Sequence, residues 1–239
     1  MKQIQLLCLI AIIVVNFSCS DMIHDSIRGD GNIKTEERTI TSASNIKLSG
    51  SFDIEIIQGA TASVKIEADG NLLPYIITEN NGNTLTIKTK DNTNISSADK
   101  IKVYVTTDKL DEVKLAGSGN ISGAFRSNDD LDLGLDGSGN ITMAVNVPSV
   151  SASVAGSGNI FLSGDAKKAT ISIAGSGDYK AEKLQTENTT IKIAGSGDAR
   201  LAASASLNVD IAGSGDVYYK GTPVIEQKLA GSGSLKQFN

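Results

Sequence analysis

Apolar and polar residues alternate along most of this chain. Ile171 and Ile173 flank Ser172, Ile191 and Ile193 flank Lys192, and Val209 and Ile211 flank Asp210. A period of two carried by β-branched residues marks strands rather than helices. The alternation is interrupted at a near-constant interval by one phrase: LAGSGNI, LDGSGNI, VAGSGNI, IAGSGDY, IAGSGDA, IAGSGDV and LAGSGSL. Its first glycines are Gly117, Gly137, Gly156, Gly175, Gly195, Gly213 and Gly231, giving steps of 20, 19, 19, 20, 18 and 18 residues. The second glycines are Gly119, Gly139, Gly158, Gly177, Gly197, Gly215 and Gly233. Two glycines around one serine permit a sharp corner between strands. One such unit cannot bury its apolar face alone, but stacked units place like residues in columns about 4.8 Å apart. The period therefore predicts a parallel β-helix of seven regular GSG-turn coils. One core column is Leu115, Leu135, Val154, Ile173, Ile193, Ile211 and Leu229; a second is Ile121, Ile141, Ile160, Tyr179, Ala199, Val217 and Leu235.

Residues 29–114 also alternate, but irregularly. Breakers such as Asp69-Gly70-Asn71 and Asn80-Asn81-Gly82-Asn83 separate the runs. Around Pro74, one helical turn is the most that fits. Leu48-Ser49-Gly50-Ser51-Phe52-Asp53-Ile54 is a degenerate copy of the later phrase. Its separation from Gly117 suggests a few longer coils before the regular ones, so that 29–114 and 115–239 form one continuous body.

The first residues change the picture of where the chain works. Lys2 and an apolar run from Ile4 to Val15, ending before Cys19, make residues 1–18 a signal peptide. The run is too short for a spanning helix, which needs about 20 residues. The small residue before Cys19 resembles a bacterial lipoprotein signal, although Asn16 departs from the usual Leu-rich pattern. Cys19 is then the lipid-bearing first residue, and residues 19–28, with His24, are a tether. Cys8 lies in the discarded segment, so one mature chain has no disulfide or thiolate metal site. The net charge is −5 from 22 basic and 27 acidic residues; removing Lys2 makes it −6. Such a chain is a poor partner for nucleic acid.

The order of these features carries a family resemblance over nearly the whole mature chain. NLLPYIITENNGNTLTIKT is followed by the alternating strand Ile101 to Val105, then by Leu110 to Ile121 with its first AGSGN, then by the repeated turns. This resembles the auto-transporter adhesin head GIN-domain family of Bacteroidetes secreted proteins. The resemblance implies a right-handed parallel β-helix, adhesion as the role, and no assigned catalytic residues. Autotransporters end in a membrane β-barrel, whereas here Phe238-Asn239 follow the last coil, so display rests on the lipid at Cys19. Ser20 in place of Asp favours an outer-membrane lipoprotein, facing either the periplasm or the cell surface.

Candidate chemistry is sparse. His24, the sole histidine, lies in the tether, which counts against a catalytic triad or a histidine-based zinc site. A calcium-binding nonapeptide array needs two glycine-rich turns per coil, and each coil has one. The fifth position of the phrase runs Asn120, Asn140, Asn159, Asp178, Asp198, Asp216. Stacked aspartates repel by about 1 kcal/mol per neighbour in water. They require either backbone N–H groups of their own corners, as in Asx-turns, or a cation along the column Asp178, Asp198 and Asp216. A polysaccharide lyase or hydrolase is the enzyme alternative, but 5 Phe, 5 Tyr and no Trp offer few platforms for sugar rings. The favoured reading is a non-catalytic, surface-displayed adhesin-like module without a cofactor, its ligand a protein or glycan; an envelope scaffold is the third. At the end of the rod Phe238 is expected to plug the layer of Leu229 and Leu235, with residual exposed edge driving weak self-association.

Overall fold

The structure, a computed structural model, describes residues 25–97 and 101–238; the expected signal segment, Cys19 and His24 lie outside them. Among the described residues, apart from a single 3-10 turn at Leu73–Tyr75 that contains Pro74, the regular elements are β-strands. Eighteen of them join in one continuous sheet. The coils stack in parallel, and the corner glycines pair in order from Gly50 through Gly117, Gly137, Gly156, Gly175, Gly195 and Gly213 to Gly231. The chain is a β-solenoid.

Both apolar columns form as the alternation dictates except in the last coil, where Leu229 is exposed and Leu235 only partly buried. Leu115, Leu135, Val154, Ile173, Ile193 and Ile211 are buried, as are Ile121, Ile141, Ile160, Tyr179, Ala199 and Val217. Tyr179 takes a position held by isoleucine one coil earlier, and Ala199 stands beside it. A large residue next to a small one keeps the layer filled without strain.

The N-terminal part departs from the expected succession of longer coils. Asn45–Gly50 lies between Glu112–Gly117 and Thr84–Thr89, parallel to both. Asp53–Gln58 likewise lies between Asn120–Arg126 and Lys102–Thr107. A coil from early in the sequence is thus threaded between two later ones. The residues that separate Gly50 from Gly117 supply one outer layer and, together with Ile33–Thr39 from before it, close it with antiparallel strands. Ile76–Asn81 pairs with Thr84–Thr89, Ser63–Asp69 with Lys102–Thr107, and Ile33–Thr39 with Ser63–Asp69. The reversal at Gly82, φ 58°, sets the first of these hairpins.

Arg38 ties this closing layer together. Its guanidinium donates to the carbonyl oxygens of Ile76 at 2.6 Å and Leu73 at 3.1 Å, and to Glu36 Oε1 at 2.7 Å. The tether expected over 19–28 is also shorter than its sequence suggested, because Asp25–Arg28 pairs in parallel with Thr93–Ser96. The cause is Ile27, which packs against the core beside Ile95.

Candidate functional site

The GSG corners are built from two glycines with different duties. The first glycine of every copy has φ between 118° and 147°, a region that L side chains avoid. At the second, the constraint is the stack itself: a Cβ on Gly197 would fall inside the radius of the Gly177 carbonyl oxygen and against Ile173. Each corner also shares one acceptor between two donors, as when Ser196 N–H and Gly197 N–H both reach Gly175 O, at 2.9 and 3.1 Å. These glycines make a backbone edge, with no side chain to do chemistry.

Beside that edge runs the Asn/Asp column, and its hydrogen bonds pass from coil to coil. Asn120 Nδ2 donates to Asp53 Oδ1 at 2.7 Å, Asn140 to Asn120 at 3.0 Å, and Asn159 to Asn140 at 3.0 Å. An amide donates and accepts, so the ladder can continue; a carboxylate only accepts. From Asp178 onward the bond therefore changes partner. Asp198 N–H donates to Asp178 Oδ1 at 3.0 Å, Asp216 N–H to Asp198 Oδ1 at 2.8 Å, and Ser234 N–H to Asp216 Oδ1 at 2.8 Å. The expected capping of each aspartate's own corner is replaced by capping of the next coil.

Cations on the adjoining strand offset the charge. Lys180 lies 3.0 Å from Asp178 and Lys236 2.9 Å from Asp216. Arg200, in register between Lys180 and Tyr218, stacks 4.8 Å from the Tyr218 ring centre. The Ser234 hydroxyl, then Lys236, hold the Asp216 carboxyl well below the usual carboxylate range. Among the described residues no group of three or more His, Cys, Asp or Glu side chains is placed to hold a metal. The column Asp178, Asp198, Asp216 is a backbone-capping ladder with lysines at its ends.

A concavity lies at the corner opposite the GSG edge. It is an open groove of about 620 Å³. Its origin is a change in coil length. Ala181 is matched to Leu201 and Asn188 to Ser206, so residues 182–187 in one coil face only 202–205 in the next. The shorter coil cuts inside its neighbour. Ala202 and Ala203, with Ala166 and Val147, are nearly buried and form an apolar floor. Thr186 is buried there too, its hydroxyl donating to Ala202 O at 2.6 Å. The exposed rim carries Asn128, Asn146 and Gln185 with Asp165, Glu187, Lys167 and Lys220. The step from 20 to 18 residues between Gly175, Gly195 and Gly213 is the trace of this groove in the sequence.

With the coils and corners placed, relatives can be judged. One family model, described as "Putative auto-transporter adhesin, head GIN domain", matches residues 44–223. The chain belongs to the head GIN-domain family. Solved structures share its fold across their full length. A "putative lipid binding protein" of Parabacteroides distasonis is 29% identical, covers 90% of this GIN-domain chain and 100% of its own, and superposes with a TM-score of 0.75. A "putative adhesin" of Bacteroides fragilis reaches 0.83 at 21% identity, over 89% of this chain and 100% of its own. Another from Parabacteroides merdae is 27% identical at 0.68, over 90% and 100%. No curated protein matches the chain. An adhesin-like family of this kind implies a GIN-domain protein of the cell surface or envelope.

Proposed function

We propose that this chain is a non-catalytic, adhesin-like binding module, held to the outer membrane by lipid on Cys19, that takes an extended glycan segment in its lateral groove. The groove carries the reading. Side-chain amides, each both donor and acceptor, stand over a small-residue apolar floor, an arrangement suited to hydroxyls around a sugar ring. A lipid chain, the ligand class in the description of the Parabacteroides distasonis protein, calls for an enclosed apolar cavity; this groove is open and polar-rimmed. Glycan-array binding of the purified protein, repeated with Asn146→Ala/Gln185→Ala, tests the site. Both residues are exposed, so the fold is kept and retention of the bound glycan falls at least tenfold. Equal retention by the double variant, no retained glycan at all, or cleavage of the glycan overturns the reading. The anchor is tested separately: Cys19→Ala moves the protein out of the membrane fraction, and an unmodified Cys19 by mass spectrometry sinks that part.

A further inference from the structure

Among the described residues, the strand Val224–Gly231 is paired on one side only, with Ser206–Gly213. All eight of its residues are exposed, with Val224 at 79% and Leu229 at 43%. Phe238 does not cover Leu229; its N–H donates to Tyr219 O at 2.9 Å and extends the neighbouring strand edge instead. An open edge of this kind invites strand addition.

The direction of its free groups follows from the register. Val224 N–H donates to Ala205 O at 2.9 Å, toward the preceding coil. By alternation, Ile225, Gln227 and Leu229 turn their N–H and C=O groups to the open side. Their partners one coil back, Leu207, Val209 and Ile211, are buried, so the same three residues occupy core-facing positions. Glu226 and Lys228 occupy the outward ones.

This strand is complementary to itself. If a second copy is laid antiparallel across the edge with Gln227 on the twofold axis, Gln227 faces Gln227, Ile225 faces Leu229, and Glu226 faces Lys228. Residues opposite one another in an antiparallel pair project to the same face. The apolar pair therefore closes the core on the inner side, and both charge pairs meet with opposite sign on the outer side. The axis residue has its N–H and C=O pointing outward, as a hydrogen-bonded pair requires. Gln227 replaces the apolar residues of earlier coils, Ile171, Ile191 and Val209, and its amide finds an equal across the axis. A shift of pairing by one residue in either direction would set Gln227 against Glu226 or Lys228 and lose both ion pairs.

We propose that the open end of the solenoid is a tail-to-tail interface between two copies of this chain, joined by antiparallel pairing of Val224–Gly231 about Gln227. The lateral groove lies at a corner of the rod and stays free in such a dimer, so the interface is independent of glycan binding.

Charge reversal tests both the occupant and the register. Sedimentation velocity of the purified full chain over a concentration series is expected to show a dimer. Glu226→Lys alone and Lys228→Glu alone each place like charges opposite one another twice, and both shift the boundary toward monomer. The two single variants, mixed, restore the dimer as a heterodimer, and the double variant Glu226→Lys/Lys228→Glu restores it by itself. Both positions are exposed, so circular dichroism remains that of the parent. A parent that stays monomeric, single variants that dimerise like the parent, or a mixture that does not recover overturns the proposal.

Discussion

At the scale of single residues, the exchange of asparagine for aspartate along one column changes the wiring between coils. The amides Asn120, Asn140 and Asn159 bond side chain to side chain, whereas Asp178, Asp198 and Asp216 each accept a backbone N–H from the coil that follows. Asp216 is the most strongly held, by Ser234 and Lys236. Because its folded-state value is depressed, its contribution is present above the ordinary value of 3.8 and is lost as pH falls through the folded one. Asp216→Asn is therefore expected to lower the urea midpoint at neutral pH, with the gap from the parent shrinking below about pH 4. The corner glycines give a second prediction. Gly195→Ala meets both an unfavourable φ of 139° and the Gly175 carbonyl, and Gly197→Ala meets the Gly177 carbonyl. Each should cost about 2 kcal/mol or more, read as a drop in thermal midpoint. The position of these glycines was legible from the repeat alone. That the aspartates serve the next coil was not, since acceptor type is written in the sequence but the partner is a matter of stacking.

At the scale of elements, the regular coils and the closing layer differ in what their sequences reveal. A repeated phrase carries its own register, because identical corners can only be superposed one way. The strands before Glu112 alternate irregularly, and alternation says which face is buried and nothing about direction or neighbour. Hence Ser63–Asp69, where Val64 and Ile66 flank Lys65, was readable as a strand but not as part of an antiparallel closure; Ile33–Thr39 and Ile76–Asn81, which lack such alternation, were not readable as strands, and the groove was visible only as an unexplained shortening of the period. What fastens the closure is Arg38, whose side chain is 19% exposed and which bonds to the carbonyls of Leu73 and Ile76. Arg38→Ala leaves those acceptors without their charged donor, at a cost of about 2 kcal/mol. Faster amide exchange in Ile33–Thr39 and Ile76–Asn81, with the coils beyond Leu131 unchanged, is the signature to look for.

At the scale of the whole molecule, the rod is a sum of neighbouring contacts, so a coil can be removed if the phase is kept. Deleting residues 176–195 joins Gly175 to Ser196 and recreates the Gly-Ser-Gly-Asp corner. The shortened chain is expected to keep a β-type circular dichroism spectrum and a single thermal transition at a lower midpoint. Deleting 176–185 destroys the phase and should abolish that transition. The two ends of the rod are nevertheless not equivalent, and the threaded coil at the first of them sets an order in time. Asn45–Gly50 has a later strand on each side, Thr84–Thr89 and Glu112–Gly117. A chain that appears from its N-terminus onward therefore cannot complete its first coil from what has already appeared; it must wait until Glu112–Gly117 has followed. Once that has happened, each further coil finds a finished template and needs only its own twenty or so residues. Emergence thus divides into one long delay and a succession of short, similar steps, and during the delay the chain is most exposed to proteases and to other unfolded chains.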